Sequence, residues 1–185
     1  MILLFMLIHL NLKSQPRYID PLKLTWRDYR GFVQPDSGFA AYTRSNVSMS
    51  VDTSLKSKSA LQFKVTFLPD SSWVDWHALS KHSTAEVDSL FRHELLHYYI
   101  SIIVFKKIKK AFKDFRFVNH HDFKKNLQEA LNFYIPFAKE QQEMNIRYDF
   151  ETKHGREGAK QKYWDAFISR STDSLKNINI SPAGE

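Results

Sequence analysis

No cysteine occurs among the 185 residues, which removes disulfides, thiolate zinc sites and cysteine nucleophiles at once. Any metal the chain holds must be held by His, Asp or Glu. Glycine and proline are scarce, at 5 and 6, so a collagen-like or linker-rich chain does not fit, and no internal repeat is present. Nor is there an apolar run long enough to cross a bilayer as an ordinary helix. The run from Ile2 to Leu12 covers about 11 residues and is broken by His9 and Asn11. It reads as the hydrophobic part of an export signal ending near Ser14 or Gln15, although no Lys or Arg precedes it and no A-x-A site follows. The expectation is a signal over residues 1–15 and a mature chain exported to the periplasm or beyond.

What remains is ordinary globular material, 43% hydrophobic and 25% charged, with a raised aromatic share of 15%. The length fits one domain, expected over 16–176, with a frayed tail over 177–185. The formal net charge is +7, but the lysines are spread over several segments and no recognition motif accompanies the run Lys106 to Lys113. Nucleic acid is therefore not the expected partner.

Period-2 alternation marks the first half. Leu22-Lys23-Leu24-Thr25-Trp26, then Val47, Met49 and Val51, then Leu61, Phe63, Val65 and Phe67 each predict a strand with one buried face. The Ser/Lys-rich link from Ser54 to Ser59 makes the last two a hairpin. Helical spacing follows. Ser83-Thr84-Ala85-Glu86 matches a capping box, and Val87, Leu90, Phe91, Glu94, Tyr98, Ser101, Phe105 and Ile108 recur at steps of 3 and 4, predicting a helix from about 83 to 112 with a lysine-rich C-terminal end. Asn119 or Asp122 caps a second helix that Pro136 is expected to kink, or to end near Ile135. Gln161, Trp164, Phe167, Ile168 and Leu175 trace a third.

The first long helix carries His93-Glu94-Leu95-Leu96-His97. Imidazoles four residues apart share one helix face and can reach one metal ion, while Glu94, about 100° round the helix, stands beside that ion as a base for a water molecule. With 8 His and as many Glu, a shuffled chain would contain this pattern about once in seventy. A catalytic zinc normally takes a third protein ligand and keeps one position open. His82 lies roughly 16 Å back along the helix from His93 and cannot share the ion. His77, His120 and His121 are open alternatives, the last two being of a type more often found at the surface. His154, in the polar cluster Tyr148-Asp149-Phe150-Glu151-Thr152-Lys153-His154-Gly155, is the first choice and Asp149 the second. The same cluster also reads as the start of a helix, with Thr152 or Asp149 as its cap.

The order Leu24-Thr25-Trp26-Arg27-Asp28-Tyr29-Arg30-Gly31, Ser72-Trp73-Val74, His93-Glu94-Leu95-Leu96-His97 and Tyr148 to Gly155, followed by Gln161 and Trp164, resembles a bacterial family of secreted zinc-dependent proteases defined by sequence. Leu95 and Tyr98-Tyr99 depart from that family's usual Gln and Phe-Asp. The resemblance implies a zincin-like metallopeptidase with one zinc per chain, His93, His97 and His154 as ligands and Glu94 as general base. The expected fold is α+β, an N-terminal antiparallel sheet packed against the long active-site helix with two further helices behind it. Tyr148 is assigned to steady the oxyanion, and the partner is a peptide or protein substrate. The alternative is a non-catalytic, metal-stabilised envelope protein, which a closed four-ligand site would favour and an open cleft would not.

Overall fold

The computed structural model describes residues 20–51, 61–118 and 122–174. The expected signal over 1–15, the tail, the link from Ser54 to Ser59, and His120 and His121 lie outside the described residues.

The fold is α+β, as the periodicities predict. Strand β1 (Ala41–Tyr42) pairs antiparallel with β4 (Trp73–Val74), and β2 (Ser45–Val51) with β3 (Leu61–Phe67). The short 3-10 turn Pro69–Ser71 between β3 and β4 shifts the register from one ladder to the next. Val47, Val65 and Phe67 turn inward, at 1%, 3% and 0% exposure, onto the long helix. The stretch from Leu22 to Trp26 is not the strand its alternation predicts. Pro21 starts a 3-10 turn capped by Asp20, and Thr25 and Asp28 close a capping box around a second. Local side-chain bonds to the backbone there replace a sheet ladder.

After a single helical turn, α1 (Trp76–Leu79), comes α2 (Thr84–Phe112), capped by Ser83 and Glu86 as expected. Its middle is buried on all sides, with every residue from Ile100 to Lys106 inaccessible to solvent or nearly so. One side meets the strands through Tyr98, Ile102 and Phe105, and the other meets the last two helices through Leu96, Ile100 and Ile103. A helix apolar all round belongs in the centre of a domain, and α2 is that element.

Helix α3 (Phe123–Thr152) is capped by Asp122 and runs without a break through Pro136. Pro136 sits on an exposed face, so the carbonyl one turn earlier can turn to water, while Phe133, Tyr134 and Phe137 keep both flanks packed on the core. Packing on either side outweighs the single lost hydrogen bond. Helix α4 (Gly158–Ser174) then seats Trp164 and Ile168 against α2.

Candidate metal centre

The capping box fixes where α2 begins, and its third turn presents His93 and His97 toward α3. On α3, Gln141, Asn145, Tyr148, Asp149 and Thr152 recur at helical spacing along the side facing α2. The ligand atoms of His93, His97 and Asp149 come together, all within 4.8 Å of one another, and this group can hold a metal ion. Nε2 of His93 lies 3.2 Å from Asp149 Oδ1, and Nε2 of His97 lies 3.1 Å from the same oxygen.

The opposite edge of each ring shows what these nitrogens offer. His97 Nδ1 donates to Asn145 Oδ1 at 2.7 Å, and Asn145 is oriented by donating its own amide to the Gln141 carbonyl at 2.8 Å. His93 Nδ1 donates to Gln161 Oε1 at 3.3 Å, and the Gln161 amide nitrogen donates to Tyr148 and to Asp165. An amide oxygen can only accept, so both imidazoles carry their hydrogen on Nδ1 and turn Nε2 lone pairs inward. They meet Asp149 Oδ1, which is buried with no hydrogen-bond donor aligned on it. With both imidazoles neutral, three lone pairs face one point, an arrangement that fits a cation. The two spacings to Asp149 Oδ1 compare with about 3.3 Å between ligands placed about 2.05 Å from a tetrahedral ion.

Electrostatics give the same picture. Burial resists a proton on His97, but Asp149 and Glu94 outweigh it and push the ring up to about 9. Burial likewise favours the neutral acid of Asp149, yet the two imidazoles hold its carboxyl well below the usual range. The group is a trap for positive charge, filled by a proton when nothing heavier is bound.

The third member is thus Asp149, the second choice from the sequence, and not His154. The cluster around it closes a helix instead of opening one. Lys153, His154 and Gly155 take positive φ in succession, at 49°, 54° and 81°, and the His154 amide bonds back to the Asp149 carbonyl at 3.0 Å, a Schellman-type ending. That turn lays the His154 ring on Phe39 at 4.8 Å between centroids, where it lines the cleft with Nδ1 3.5 Å from Asp149 Oδ1 but is not a member of the group. It also drives Gly155 into His93, where a Cβ would come within 3.2 Å of the imidazole. The glycine is there to let the backbone approach the ring.

Tyr148 does not face the cleft either. It is fully buried, its ring stacks on His93 at 4.5 Å, and its hydroxyl bonds the His93 carbonyl at 3.2 Å and Gln161 at 3.0 Å. Burial pushes this phenol far above its ordinary range. It supports His93 and is not placed to steady an oxyanion. Asn145 went unread in the sequence, as did the ligand-orienting role of Gln161; the polar stripe on α3 was the signal for the first.

A cleft of about 720 Å³ opens beside the group. Its floor is the face of α2 that carries Leu90, Glu94 and His97, one wall is α3 through Gln142, Asn145 and Ile146, and the other is the chain over residues 38–45. Glu94 is 5% exposed and lines this cleft. The strand wall is held from behind, where Tyr29 meets Thr43 Oγ1 at 2.8 Å and Trp26 packs on Phe91 at 4.9 Å. His77 and His82 do not join the group; His82 pairs with Glu86 at 3.7 Å.

No family model matches the chain, and neither does any curated protein or solved structure.

Proposed function

We propose that this chain is a zinc-dependent metallopeptidase of the secreted, zincin-like kind its motifs resemble, with His93, His97 and Asp149 as the ligands. The observation that carries the reading is the buried Asp149 oxygen, without a hydrogen bond, between two imidazoles whose hydrogens are committed to amides on their far sides. Two His and one carboxylate on a site with an open flank suit a catalytic zinc, whereas structural sites close all four positions with protein. When bound, zinc supplies Lewis acidity toward a carbonyl and acidifies a water. Glu94, on the same helix and lining the same cleft, accepts the proton of the attacking water and passes it to the departing amine nitrogen.

The strand wall supports a peptide as substrate. β1 has β4 on one edge and the cleft on the other. The Ala40 carbonyl accepts from the Asp75 amide at 2.8 Å, so even-numbered backbone groups here face β4, and alternation leaves those of Ala41 and Thr43 for the cleft. An extended peptide can pair with that edge and bring a carbonyl over the ligand group.

The test is metal content and turnover on the full chain. One zinc per chain is expected, removed by a chelator together with hydrolysis of a casein-type protein substrate. Glu94→Gln is expected to keep the zinc and lose hydrolysis by about 10²- to 10⁴-fold. Undiminished turnover in that variant ends the general-base assignment, and a purified chain that takes up no zinc ends the proposal.

A further inference from the structure

Arg44 and Arg156 both line the cleft and both are exposed. Among the described residues neither guanidinium lies within ion-pair distance of a carboxylate, whereas Arg30, Arg92 and Arg147 are paired with Asp70, Asp165 and Glu151. The two stand at opposite ends of the ligand group. Arg156 follows Gly155, which packs on His93, and the same turn holds Phe39 through His154. Arg44 precedes Ser45, whose hydroxyl bonds Ser101 at 2.7 Å, one helical turn beyond His97. The chain from Phe39 to Arg44, with β1 at its centre, spans at most roughly 17 Å at about 3.3 Å per residue.

The carboxylates of the same lining are all committed. Glu94 and Asp149 stand at the ligand group, where a bound divalent ion would offset their two charges. Glu86 is turned to the Ser83 amide and hydroxyl, both at 2.8 Å, as part of the helix cap. That leaves two arginines facing whatever lies along the strand.

We propose that the cleft selects peptides carrying acidic side chains on both sides of the bond presented to the metal centre, with Arg156 reading one flank and Arg44 the other. This deepens the peptidase reading and rests on it for the peptide's place along the strand. Arginine suits the task because its planar fork can accept a carboxylate through two hydrogen bonds. Such pairs are exposed, so each contributes a few-fold in affinity, and added salt weakens them.

The experiment measures binding separately from chemistry. Zinc-loaded Glu94→Gln protein is titrated with three fluorescein-labelled decapeptides that differ only in having Glu, Gln or Lys two and three residues to either side of the central bond. The Glu peptide is expected to bind about tenfold more tightly than the Gln peptide, and the Lys peptide more weakly than both. Adding Arg44→Gln and Arg156→Gln together should bring the Glu peptide to the affinity of the Gln peptide, at unchanged zinc content and melting temperature. Replacing both arginines with Glu should turn the preference toward Lys. Equal affinity for the three peptides, no measurable binding of any of them, or a Glu preference that survives loss of both arginines overturns the proposal. A Glu preference that disappears with the arginines, in a protein that otherwise hydrolyses no peptide, removes the peptidase reading and leaves the acid preference standing.

Discussion

The two imidazoles sit one helical turn apart, yet the regions that hold them use different physics. Around His93 the means is packing: a stacked Tyr148, a Gly155 backbone against the ring, and a longer hydrogen bond of 3.3 Å to a buried Gln161. Around His97 it is a short bond of 2.7 Å to Asn145, a half-buried residue on α3, with the cleft beyond. The α4 side is closed and tightly packed, and the α3 side is polar and open to the cleft. One imidazole is therefore fixed by the core, and the other is fixed by a side chain on the very helix that supplies Asp149.

Substitutions can break or sharpen this contrast. The largest effect belongs to the ligand both regions share. Asp149→Ala should lower zinc affinity by more than 100-fold in a competition titration, while His154→Ala should shift it only a few-fold. A reversed order would return the third position to His154. Next comes Gly155→Ala, which meets the His93 ring and a left-handed backbone at once. It should destabilise the fold by about 1–3 kcal/mol in urea melts and weaken zinc binding with it.

The sharper comparison sets Gln161→Ala against Asn145→Ala. Both should cost about 10- to 100-fold in zinc affinity, because each frees an imidazole to rotate or change tautomer. Only Gln161→Ala also deprives the buried Tyr148 hydroxyl of a partner, so it alone should lower metal-free stability, by about 1–3 kcal/mol. Equal melts for the two variants would abolish the distinction between a packed ligand and a tethered one.

The smallest effect is pH-linked. In the metal-free protein His97 is raised from 6.5 to about 9, so its contribution to stability is complete below the unfolded value and is lost as pH rises through about 9. Asp149 is depressed from 3.8, so its contribution is present above that value and is lost on acidification. Melting temperature without metal should peak between these limits, roughly pH 4.5 to 6.5, and decline toward pH 9. Zinc affinity should rise over the same alkaline interval, because the ion must displace the proton. A flat metal-free profile from pH 6 to 9 would show that His97 binds no extra proton.

How much of this could be seen in the chain follows from how local each signal is. The capping box at Ser83, the span of α2 and the His93-Glu94-His97 constellation are short-range patterns, and the structure repeats them. Asp149 was harder to rank. The cluster ending in Gly155 has the composition of a helix start as much as of a helix stop, and only the three successive left-handed residues distinguish them. Pro136 does not end the helix, because its penalty is local while the packing that outweighs it comes from α2 and β3. The strand pattern at Leu22 to Trp26 lost to capping bonds made within three residues. The ligand-orienting roles of Asn145 and Gln161 depend on which helix lies opposite, and no spacing rule states that.

The left-handed hook after Thr152 also sets a ruler. Asp149 must stay beside the two imidazoles while Gly155, six positions later, must touch His93, so the number of residues between them works as a gauge block between the candidate site and the core. Adding or deleting even one there would move the carboxylate and the glycine out of step, however conservative the residue chosen.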